Sequence, residues 1–139
     1  MIPIPYDYSF EYSYDADGKL CPLLRFLASN VADVSAMVDL EATLDSGAER
    51  SLFNGRIGTA LGIDVMRGPG ITFSTMAGGV LSATLHPIRL THPELGTFEL
   101  EVAFSTGEIW RNLLGRDFFD LLQIGFREHQ LTFYVTPNP

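Results

Sequence analysis

The chain has 139 residues, 46% hydrophobic and 19% charged, a globular balance at a length that suits one domain with a sizeable core. A net charge of -8 and a pI near 4.6 set it against phosphate backbones, so nucleic acid is not an expected partner. The lone Cys21 allows no internal disulfide, no apolar run reaches the ~20 residues that span a bilayer, and Met1-Ile2-Pro3-Ile4-Pro5 lacks a secretory pattern; the expectation is a cytoplasmic protein with no membrane partner.

From Ile2 to Tyr14 every even position is apolar and the odd positions are Pro, Asp, Ser or Glu, the period of a strand with one buried face. Pro3 and Pro5 cannot donate to a ladder, which places the start of this strand at an edge or in an arm. Asp15-Ala16-Asp17-Gly18 supplies turn chemistry before a second extended run, Leu20 to Leu27, so a hairpin is expected. Residues 1–18 are read as an N-terminal hairpin arm and 19–139 as one fold unit. Val38, Leu40, Ala42 and Leu44 alternate with polar partners in the next strand. Further strands are expected at Ile71 to Thr75, Val80 to Leu90, Phe98 to Phe104 and Leu131 to Val135, and short helices around Ser51 to Leu61 and Arg116 to Gln123. The class is all-β. Trp110 and the Phe118-Phe119 pair are expected in the core.

The strand ending at Leu44 delivers an acid into a tight turn, Asp45-Ser46-Gly47-Ala48. Gly47 lets the backbone turn beside the Asp45 carboxylate, and Ser46 can bond within the turn; Asp-Ser-Gly by itself is also an ordinary turn tripeptide. Other chemistries lack a pattern. His86 and His92 each precede proline and His129 lies in a charged turn, without metal-ligand spacing, so all three read as solvated loop histidines and no metal or cofactor is expected. No phosphate-binding glycine loop is present, and Asp117 and Asp120 read as helix-start and surface acids.

Together, Leu44-Asp45-Ser46-Gly47-Ala48 and the later Leu113-Leu114-Gly115-Arg116-Asp117 resemble the retroviral-type, retropepsin-like aspartic proteases. The resemblance runs from about Leu20 to Val135 and also covers Ser51-Leu52-Phe53, Ala60-Leu61-Gly62-Ile63 and Gln123-Ile124-Gly125-Phe126. It implies a retropepsin-like half-barrel with a flap hairpin and one short C-terminal helix. It also implies catalysis at Asp45, Ser46 and Gly47, and an active-site support at Leu113, Leu114, Gly115 and Arg116. Peptide contacts are expected at Ala48 and Glu49 and at the flap tip, Met76, Ala77, Gly78 and Gly79. An ion pair between Glu49 and Arg116 is expected to brace the loop.

Hydrolysing an amide without a metal or a covalent intermediate calls for one carboxylate to take a proton from water and a second carboxyl to give one. Two such groups a few Å apart share a single proton. This chain holds one Asp-Ser-Gly, so the resemblance implies a homodimer in which two copies of Asp45 meet, acting on a peptide or protein substrate. The alternative is a catalytically silent dimeric scaffold of the same fold that binds peptides or proteins.

Overall fold

Alternating patterns along the chain become strands in the computed structural model, which describes residues 6–138. Ile2, Pro3, Ile4 and Pro5, where the first strand was expected to begin, lie outside them. The elements in chain order are β1 (Tyr8–Glu11), β2 (Ser13–Tyr14), β3 (Leu20–Cys21), β4 (Leu23–Asn30), β5 (Met37–Leu44), β6 (Leu52–Phe53), α1 (Gly55–Ala60), β7 (Gly70–Ser74) and β8 (Val80–His92). They continue as β9 (Gly96–Ser105), β10 (Asn112–Leu114), α2 (Arg116–Phe119), β11 (Leu122–Arg127) and β12 (Thr132–Pro137).

The main sheet runs β4-β5-β10-β6-β9-β8-β7, and an additional pairing of β4 with β8 closes six of these strands into a ring. The 13-residue β8 makes this possible. Its first part pairs with β7, its last part with β4, and nearly all of it with β9. Inside the ring the alternation of β9 buries Val102 and Phe104, which meet Phe53, Leu90 and Phe118. The aromatic rings interlock edge to face: Phe26 with Phe118 at 5.7 Å and Phe53 with Phe104 at 6.1 Å between centroids.

The N-terminal segment divides its pairing. The turn at 15–18 does form a hairpin, but only Ser13–Tyr14 with Leu20–Cys21. Tyr8–Glu11 instead joins β12, giving a second sheet, β1-β12-β11. The period-two pattern explains the choice, because Phe10 and Tyr12 face inward and cover Phe133 of β12.

Three expectations need correction. The second helix stops at Phe119, because Leu122, Gln123 and Ile124 turn in, out and in, which is strand period rather than helix period. Trp110 is 86% exposed, since it lies in the loop before β10 and belongs to no inward face; of the residues expected with it, Phe118 is fully buried and Phe119 half-buried. His92 is buried at the end of β8, not solvated, and His86 is half-buried within the same strand.

Candidate active site

Strand β5 ends at Leu44, and the next residue is fixed from two sides. Asp45 N donates to Leu114 O at 2.9 Å, extending the parallel pairing of β5 with β10, and Ala48 N donates to Asp45 O at 3.2 Å to close the turn. Gly47 N donates to Asp45 Oδ1 at 2.9 Å. A side chain at position 47 would bring its Cβ to 3.2 Å from that same oxygen, tighter than ordinary contact. One carboxylate oxygen is thus pinned by the backbone, while Oδ2 has no hydrogen-bond partner among the described residues. Ser46 is exposed, and its hydroxyl makes no hydrogen bond among them. The turn is held instead by the Asp45 carboxylate and carbonyl.

The far end of the loop is anchored to the start of α2. Arg116 N donates to Ala48 O at 2.8 Å and Asp117 N to Glu49 O at 3.3 Å. This approach is so close that a Cβ on Gly115 would lie 2.7 Å from Ala48 O and 2.7 Å from the Arg50 carbonyl carbon, so only glycine fits without a backbone shift. Ser51 is fully buried. Its hydroxyl donates to Asp117 Oδ1 at 2.7 Å and accepts from Gly115 N at 3.1 Å, while its amide donates to both Asp117 oxygens at 3.0 Å. Phe118 N adds a further bond to the same carboxylate at 2.8 Å. The expected brace between Glu49 and Arg116 exists at 3.4 Å, with the side chains 87% and 58% exposed. At that exposure water screens the pair, and the better-shielded, part-buried bonds of Asp117 and Ser51 are what hold the loop.

Above this base lies a cleft of about 1130 Å³. Asp45, Gly47, Ala48 and Glu49 line it from the loop, Leu113 from β10, and Phe73, Met76 and Leu81 from the β7–β8 hairpin. The hairpin turns through Thr75–Gly79, where Gly78 takes φ +84°, a left-handed value that suits glycine. Thr75 N donates to Gly79 O at 2.9 Å, and Gly79 N returns to Thr75 Oγ1 at 2.9 Å. Met76 at the tip is fully exposed.

The structure therefore brings Asp45, Gly47, Ala48, Glu49, Met76 and Leu113 to one cavity. Ala77, Gly78 and Gly79 form the hairpin tip beside it, and Leu114, Gly115 and Arg116 lie behind the loop as its backbone support. Ser51 and Asp117 carry a joint role that the sequence reading does not give them: it takes Asp117 as a helix-start acid and Ser51 only as part of the resemblance. Their signal was a serine between charged Arg50 and apolar Leu52-Phe53, and an acid in the first turn of a helix, each common for other reasons.

No protein-family model matches the sequence, and no curated protein is similar to it at the level of sequence. Solved structures are similar in fold. One is a retropepsin-like aspartic protease from Rickettsia conorii, with TM-score 0.63 and 17% identity, covering 93% of this chain and 98% of that one. Another is EIAV protease complexed with the inhibitor HBY-793, with TM-score 0.54 and 18% identity, covering 72% of this chain and 86% of that one. With its closed β ring, its Asp45 loop seated on β10 and α2, and its hairpin over the cleft, the chain has the all-β fold of the retropepsin-like aspartic proteases.

Proposed function

We propose that the protein is an aspartic endopeptidase, working as a homodimer in which Asp45 of each copy supplies half of a water-activating pair. The observation that carries this reading is the Asp45 carboxylate: Oδ1 is pinned by Gly47 N, Oδ2 is left open, and the residue lines a cleft roomy enough for a peptide. A single carboxylate can act as base or acid but not both at once, so the site is complete only with a second copy. In the pair one carboxyl keeps its proton because two negative charges at that separation repel. The ionised member takes a proton from water as it attacks the peptide carbonyl carbon, and the protonated member donates towards the carbonyl oxygen. Collapse of the tetrahedral species returns a proton to the leaving amine.

Roles for the remaining residues follow from position. Ser46, exposed at the turn, faces the partner copy, while Ala48 and Glu49 present loop backbone to the substrate. The hairpin tip from Met76 to Gly79 closes over it as a flap, with its glycines giving the tip the freedom to move. Leu113 contributes an apolar wall, and Leu114, Gly115 and Arg116 keep the loop in place.

The test is cleavage of a diverse peptide mixture between about pH 3.5 and 7, the range in which a proton-sharing carboxyl pair titrates. The native chain is compared with Asp45→Asn at concentrations that favour dimer. Cleavage by the native chain alone is the expected result. Cleavage by both, or by neither while the chain is folded and dimeric, overturns the reading.

A further inference from the structure

His92, at the end of β8, closes the turn into β9 with its ring. Nδ1 accepts from Glu94 N at 3.1 Å and from Leu95 N at 3.2 Å, so the neutral imidazole carries its proton on Nε2. The ring also packs across elements. It meets Phe10 of β1 edge-on, with centroids 5.5 Å apart, and Phe26 of β4 at 5.8 Å. Phe10 in turn stacks on Phe133 of β12 at 5.3 Å. One imidazole therefore holds a turn through its lone pair and seats the N-terminal strand through its ring.

A phenylalanine in this place would pack as well but accept no bond, and an asparagine would accept the turn amides without ever changing charge. Histidine alone joins both roles to a proton equilibrium near neutrality. Burial holds the imidazole below its ordinary value of 6.5, against an opposing pull from Glu94 on the same turn. The other charged groups facing it are Glu11 of β1 and Arg25 of β4, which line a crevice of about 220 Å³ with it under the N-terminal strand. Arg25 is engaged by Glu41 at 2.8 Å. From β12 the neighbour behind Phe10 is Phe133, which carries no charge.

We propose that His92 is an acid-sensitive latch for the N-terminal strand: protonation at Nδ1 removes the acceptor of both turn amides, the β8–β9 turn opens, and Phe10 with β1 leaves its seat between His92 and Phe133. The docked state favours neutral imidazole and the released state favours imidazolium. Docking is thus fully stabilised above about pH 6.5 and weakens as the pH falls below it, until the docked form itself protonates. Release uncovers the β12 edge that Tyr8–Glu11 now occupies. The latch does not depend on Asp45 being catalytic, because no β1 residue lines that cleft.

The test is hydrogen exchange on the full chain carrying Asp45→Asn, which prevents self-cleavage, with and without His92→Asn, between about pH 7 and 4.5 and corrected for intrinsic rates. Amides of residues 8–12 and 94–96 are expected to lose protection by up to about tenfold per pH unit in the His92 chain, the limit for one titrating group, and to hold steady in His92→Asn. Equal loss in both chains, or no loss in either, overturns the latch. Should His92→Asn fail to fold, the ring signals of His92 in the parent chain decide: loss of protection must share their titration midpoint. A loss of protection whose midpoint departs from that of the His92 ring signals assigns the switch to a carboxylate and also overturns it.

Discussion

The floor of the Asp45 cleft and the hairpin above it are built on opposite principles. The floor, residues 45–51 against 112–118, is held by bonds between segments far apart in sequence, one of them buried and a part-buried set gathered on the Asp117 carboxylate. Among the described residues the hairpin tip is held only by itself: Thr75 and Gly79 bond each other, and Met76 and Val80 are left to solvent. A segment bonded to the rest of the fold opens only when the fold does, whereas one bonded to itself opens alone. The proposed chemistry needs this division, since a carboxylate must be placed within a fraction of an ångström while a cover must move to admit a peptide.

Gly115→Ala is the strongest way to break the contrast. The new Cβ meets backbone atoms at 2.7 Å, and backbone cannot swing aside as a long side chain can. A loss of roughly 3 kcal/mol or more in global stability is expected, the upper range for overpacking, read as a fall in the denaturant midpoint. Asp117→Ala comes next. It strips a buried serine of the acceptor for its amide and hydroxyl, so a cost of about 2 kcal/mol is expected together with loss of peptide cleavage. Asp117→Asn keeps one acceptor oxygen and should recover part of both. Recovery of stability without activity would detach Asp117 from the placement of Asp45.

Gly78→Ala probes the other region. Its φ of +84° penalises any side chain, yet no atom lies within 4 Å of the added Cβ. The expected strain of about 1 kcal/mol should stay local, visible as a change in amide exchange at 73–81 and in KM, with the global midpoint unmoved. A drop in the global midpoint equal to that of Gly115→Ala would erase the distinction between floor and cover.

Much of the architecture was legible because period two was strong where one face of a strand is buried. That period places Leu40, Ala42 and Leu44 of β5 and Val102 and Phe104 of β9 inward, and all five are buried. The turn at Asp45-Ser46-Gly47 is legible from residue type alone, whereas Gly115 is picked out only by the family resemblance; the structure shows both glycines where a Cβ would crowd a neighbour. What was hidden depended on partners distant in the chain. Tyr8–Glu11 was assigned to the nearest downstream strand, whereas β12 offers Phe133 and Val135 to cover; alternation says which face is buried and not by whom. Trp110 was misplaced because aromatic character does not tell a core residue from one on an exposed loop. His92 was misplaced because proline after it signals a turn, and the ring that closes a turn can still be roofed by Phe10 and Phe26.

The smallest effect is expected at the pair the sequence singled out. Arg116 and Glu49 are opposite charges at the right places to brace the loop, and they approach to 3.4 Å. Both side chains nevertheless stand largely in water, where the attraction is screened and holding two long side chains together costs entropy. The backbone amide of Arg116, bonded to Ala48 O, does the anchoring and survives any change of side chain. Arg116→Ala should therefore shift stability by no more than ~1 kcal/mol, and raising salt should shift the native chain no further. Measured beside Asp117→Ala, it separates charge visible at the surface from charge at work beneath it. A loss from Arg116→Ala as large as that from Asp117→Ala would mean that the partner copy covers the pair and removes it from water.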